Sequence, residues 1–107
     1  MPDCLVTELK QRLDAGTAPV LLDVRQPEEV AIAAIPGAIH IPMGDIPSRL
    51  TELEEHVDSE VVVYCHHGMR SANVQAFLRR NGFTNVRNLL GGIDAWSLQA
   101  DPSTPRY

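Results

Sequence analysis

Glu60-Val61-Val62-Val63-Tyr64-Cys65-His66-His67-Gly68-Met69-Arg70-Ser71 is the stretch on which the fold turns. From Val61 to Cys65 it is β-branched and apolar on both faces, which marks a central strand with helices on either side. Beyond it, Ser71 to Asn81 has helical spacing, with Val74, Phe77 and Leu78 inward and Arg79 and Arg80 near the C-terminus. Gly82 supplies a left-handed stop. Strand, tight loop and helix thus follow one another without a spare residue.

The flanking sequence repeats that alternation. Thr7 to Leu13 reads as a short helix that Thr7 can cap and Gly16 ends. Val20 to Val24 is a buried strand after Pro19, and Pro27-Glu28-Glu29 has the proline and acids of a helix start. Pro36-Gly37 closes that helix, and Ala38 to Ile41 form a second strand before Pro42. Ile46, Leu50 and Leu53 recur at helical spacing above an acidic face. Val86 to Leu89 is a last strand, and Gly91 to Trp96 open a last short helix. The expectation is an α/β fold with a central parallel sheet of about five strands and helices on both faces. One domain over 1–107 is expected, with a core over about 5–98 and a loose tail over 99–107.

Composition narrows the function. A net charge of −5 argues against a nucleic-acid face, which is usually basic. No apolar stretch approaches the roughly 18 residues of a membrane span. Met1-Pro2-Asp3-Cys4 carries no export signal, which argues for the cytoplasm and for two free thiols, with Cys4 at a frayed end. His66 and His67 are adjacent, and neighbouring residues offer no ligand spacing, so neither a metal nor another cofactor is expected.

Cys65 stands at the carboxyl end of the best strand, where open parallel sheets bind ligands. The loop after it leads into a helix N-terminus, so its N–H groups can converge on one anion. Gly68 permits the backbone angles of such a loop, and Arg70 adds a fixed charge. A free cysteine, with a pKa of about 8.5, is only about 3% thiolate at neutral pH. Lowering that pKa to about 7 takes roughly 2 kcal/mol, which a helix N-terminus, loop amides and Arg70 can supply together. His66 and His67 would tune the local charge. A cysteine ending a buried strand is often packing alone, but Gly68, Arg70 and the helix behind them favour a nucleophile.

Four pieces, taken in order, resemble the rhodanese family over roughly Leu5 to Leu98. They are Leu22-Asp23-Val24-Arg25, Ile35-Pro36-Gly37-Ala38, Cys65 to Arg70, and Gly91-Gly92-Ile93-Asp94-Ala95-Trp96. The resemblance implies a sulfurtransferase of the thiosulfate–cyanide type, with Cys65 attacking a donor such as thiosulfate or a persulfide. It implies that the loop His66, His67, Gly68, Met69 and Arg70 cradles the persulfide before a thiophilic acceptor, cyanide or a thiol, removes it. Asp23, Arg25 and Ser71 are supporting candidates: Asp23 to brace the loop, Arg25 to pair with Glu28 or Glu29, or Asp23 and Arg25 to form a structural ion pair. The chain departs from the family at Ala33-Ala34, where Gly-His is common, and at His66, where a lysine or arginine often stands.

A sulfur carrier serving a partner protein in a relay is the alternative reading. A phosphatase or arsenate reductase ranks below both. Their cysteine loops are one residue longer, whereas four residues separate Cys65 from Arg70, leaving a pocket sized for one sulfur atom.

Overall fold

A computed structural model describes residues 2–107; Met1, with which the expected domain begins, lies outside the described residues. The elements are α1 (Val6–Asp14), β1 (Val20–Asp23), α2 (Pro27–Ile32), β2 (Ile39–His40), β3 (Glu60–Tyr64), α3 (Met69–Arg80), β4 (Asn85–Asn88) and α4 (Gly92–Ala95). Two 3-10 turns, Met43–Asp45 and Leu50–His56, separate β2 from β3, and a π turn, Trp96–Ala100, continues α4. The sheet is parallel, in the order β2-β1-β3-β4.

It has four strands where about five were expected. What stands in place of a fifth is a single parallel bridge from Cys4 to Leu89, beside β4. Cys4 is therefore not frayed. Its N–H donates to Asn88 O at 2.9 Å, its carbonyl accepts from Leu90, and its side chain is fully buried. Burial and the nearby Glu8 push its thiol up to about 11, which leaves it protonated and unreactive. Cys4 and Cys65 are both free thiols.

Period-two alternation along β3 divides the interior into two cores. Val61, Val63 and Cys65 face α3 and the 3-10 turns, packing with Val74, Leu78, Ile46 and Leu53. Val62 and Tyr64 face the other way, toward Leu9 of α1, Ile93 of α4 and Trp96. Helices thus cover both faces, as the unbroken apolar strand requires.

Three local expectations change. Leu5 rather than Thr7 occupies the N-cap of α1, and no side chain caps that helix. The Ile46–Leu53 segment forms 3-10 turns instead of an α-helix. Three residues per turn place Leu50 and Leu53 on one side. The tail expected to be loose is engaged: Trp96 Nε1 donates to Thr104 Oγ1 at 3.2 Å, and the Tyr107 hydroxyl donates to Glu29 at 2.7 Å.

Candidate active site

Pairing in register brings the carboxyl ends of the middle strands level, with Asp23 opposite Tyr64 and Asn88 opposite Val63. The chain leaving β3 turns sharply and enters α3 at Met69, two residues earlier than the periodicity predicts. That start is possible because Gly68, its N-cap, holds φ at +113°, a conformation other residues avoid.

Cys65 is the first residue past β3 and is 1% exposed. Its Sγ accepts the Gly68 N–H at 3.1 Å and lies 3.4 Å from Ser71 Oγ. Burial works to raise this thiol's pKa. The Ser71 hydroxyl and the N–H groups of Ser71, Gly68 and His67 oppose it and prevail, so the pKa lies below the ordinary thiol value. Neutral dipoles make the larger contribution, and the Arg70 charge, coupled to Cys65 across space, shares the task as expected.

Ser71 has one hydroxyl hydrogen and two claims on it. Its Oγ is 2.5 Å from Asn88 Oδ1, and Asn88 Nδ2 donates to Gly68 O at 3.1 Å. A thiol at Cys65 lets Ser71 donate to Asn88; a thiolate draws that hydrogen to sulfur. Ser71→Ala is therefore expected to move the midpoint of pH-dependent Cys65 alkylation upward. An unmoved midpoint would leave the loop amides as the whole cause.

A second layer clamps the loop from behind. Ile93 N–H donates to Cys65 O at 2.9 Å, and Asp94 N–H to His66 O at 3.1 Å. These bonds bring α4 so close that a Cβ on Gly92 would stand 2.4 Å from His66 O and 2.5 Å from Cys65 O.

Arg70 does not face the sulfur as a free charge. It forms a bidentate pair with Glu29 of α2, at 2.6 and 2.9 Å. Asp23 and Arg25 pair with each other at 2.7 Å, both within 1% of full burial. Asp23 therefore does not brace the loop. Arg25 meets no carboxylate of Glu28 or Glu29; it donates instead to the Glu29 and Ala33 carbonyls and to the Tyr107 hydroxyl. The His66 ring is stacked between Tyr107 and His67, with centroids 4.0 Å away on each side. Burial, then the neighbouring His67, lowers its pKa, so it is neutral at physiological pH. His67 is exposed, 3.9 Å from Asp94. Met69 is 81% exposed and lends the loop only its backbone. Among the described residues, no group of three or more His, Cys, Asp or Glu could hold a metal ion.

The family model of the rhodanese-like domain matches residues 5–99. The chain belongs to the rhodanese-like family. A Bacillus subtilis protein with a provisional sulfurtransferase name is 45% identical over 94 residues, 88% of each chain. A sulfurtransferase of Allochromatium vinosum is 42% identical over 88% of this chain and 86% of its own. The crystal structure of a rhodanese-like domain protein from Staphylococcus aureus superposes with a TM-score of 0.83 at 33% identity, covering 100% of this chain and 99% of that one. A segment of the Arabidopsis thaliana adenylyltransferase and sulfurtransferase is 31% identical over 94% of this chain, which spans 25% of that protein.

Sequence reasoning missed three residues around the cysteine of this rhodanese-like domain. Asn88 had a readable signal: alternation puts it on the same face as the core residue Val86, a polar side chain at the sheet's carboxyl edge. From sequence, Glu29 reads as a helix-start acid and a partner for Arg25. Nothing local marks Tyr107, because its contacts lie 78 and 82 residues away.

Proposed function

We propose that the domain is a sulfurtransferase whose Cys65 carries the sulfur as a persulfide. Sulfur transfer in general is supported by the family and by relatives named sulfurtransferases. The observation that carries the Cys65 assignment is its Sγ, held at the carboxyl end of β3 under the Gly68 N–H at 3.1 Å. The thiolate attacks the outer sulfur of a donor such as thiosulfate; the donor S–S bond breaks, and sulfite leaves with the bonding pair. The negative charge then resides on the terminal sulfur, among the amides of His67, Gly68 and Ser71. An acceptor, cyanide or a thiol, attacks that sulfur and returns Cys65 to its thiolate. Two half-reactions sharing one covalent intermediate give ping-pong kinetics.

Likeness to part of the Arabidopsis adenylyltransferase and sulfurtransferase supports relay to a partner protein as the second reading. Intact-mass measurement tests the chemistry. The wild type should gain about 32 Da, one sulfur, per Cys65 after donor treatment, and Cys65→Ser should gain nothing. A wild type left unmodified by thiosulfate, polysulfide and persulfide donors alike ends this reading.

A further inference from the structure

We propose that Glu29 selects the sulfur donor: by claiming Arg70 it leaves the Cys65 seat without net positive charge, favouring low-charge alkyl hydropersulfides over dianionic thiosulfate. The inference rests on the sulfur-transfer reading above and specifies its donor.

The charges at the mouth of the site cancel. Arg70 is the only cationic side chain of the loop beyond the histidines, and both of its Nη atoms bind Glu29. His66 is neutral, for the reasons given. Asp94, beside His67, is paired with Arg106 at 3.0 Å, so that corner adds no free cation. The Arg25 charge is spent on Asp23. The seat of the sulfur is then a ring of dipoles inside a chain of net charge −5. Such a ring stabilises one developing negative charge at close range, but it attracts a dianion from solution poorly.

Glu29 is held in that position. Its Oε1 accepts the Gln26 N–H at 3.1 Å, and its Oε2 accepts the Tyr107 hydroxyl at 2.7 Å. Tyr107 is fixed in turn by Arg25, at 3.0 Å. The carboxylate cannot swing away while these donors hold it, so Arg70 stays neutralised when a donor arrives. With a hydropersulfide, R–S–SH, the Cys65 thiolate attacks the outer sulfur, which keeps its proton. The S–S bond breaks, R–S⁻ leaves with the bonding pair, and Cys65 becomes a hydropersulfide. No excess positive charge is needed at any point, because one negative charge enters the step and one leaves.

Single-turnover loading of the full chain, read by intact mass, tests the inference with thiosulfate and with 2-hydroxyethyl hydropersulfide. Each rate constant is divided by that of the same donor with free cysteine, which removes intrinsic reactivity. The wild type should favour the hydropersulfide by roughly tenfold or more, a size one unscreened charge commonly produces. Glu29→Gln keeps an amide oxygen to accept the Gln26 N–H, gives up the acceptor of the Tyr107 hydroxyl, and removes the charge that cancels the guanidinium. It should raise thiosulfate loading, relative to hydropersulfide loading, by roughly tenfold at low salt and less at high salt. Glu28→Gln changes the same net charge on the same helix without touching Arg70, and should shift that ratio by less than about twofold. Adding Arg70→Met to Glu29→Gln should erase the gain.

A wild type that prefers thiosulfate overturns the proposal, whether or not any variant folds. So does a Glu29→Gln ratio equal to that of Glu28→Gln. Loading from neither donor would instead sink the sulfur-transfer reading, and this inference with it.

Discussion

Asp23→Ala is expected to lower the unfolding free energy by about 3–5 kcal/mol, the usual cost of leaving a buried charge without its partner. Arg25 has no solvent-exposed surface, and Asp23 accepts from its backbone N–H, its Nε and its Nη2. After truncation the guanidinium keeps only the Ala33 and Glu29 carbonyls and the Tyr107 hydroxyl, which are neutral acceptors. A domain of this size commonly has about 5–15 kcal/mol in all, so the variant should sit near the edge of folding. Urea denaturation would show the loss as a lower midpoint at similar slope. Replacing both residues, as Asp23→Leu with Arg25→Met, should recover much of it, because the stranded charge goes too. A single substitution that leaves the midpoint in place would mean that water reaches Arg25.

Gly92→Ala should have the second large effect, and it should fall on activity more than on stability. The glycine has φ of +60°, and the added Cβ would meet His66 O, Cys65 O and His66 C at 2.4 to 2.6 Å. All three are backbone atoms of the loop, so no side chain can rotate away to make room. Either α4 withdraws and breaks the Ile93 and Asp94 hydrogen bonds, or the cysteine loop is pushed toward solvent. A displacement near 1 Å commonly costs about 100-fold in rate, and sulfur loading by intact mass should fall by at least that much. Far-ultraviolet circular dichroism should stay close to wild type. Loading within a few-fold of wild type would show that the clamp is dispensable.

The sheet and the cysteine loop were legible because both depend on short-range pattern. Val61 to Cys65 cannot hide an apolar run on one face only, and Gly68 before a helical period limits how the chain can turn. What stayed hidden depends on residues far apart. The bidentate Arg70–Glu29 pair spans 41 positions and the Tyr107–Glu29 bond 78. From sequence, Arg70 looked like a charge offered to the sulfur, since nothing within a helix turn of it could cancel it. Cys4 looked frayed because end effects are the usual expectation, whereas pairing with Leu89 buries it. Asp23 closes β1 and Arg25 follows it by two residues, and the choice between a brace and an ion pair required the third dimension.

Three of the bonds that hold the Cys65 loop come from Asn88, Ile93 and Asp94, all synthesised after it. A chain emerging from the ribosome would therefore carry a loop whose amides are not yet held on the sulfur until β4 and α4 have docked. Parallel strands joined by crossovers pair late, because each contact closes a long loop first. Nucleophilicity at this position is thus withheld until assembly is finished, and a partly unfolded copy should lose its reactivity before it loses its helices.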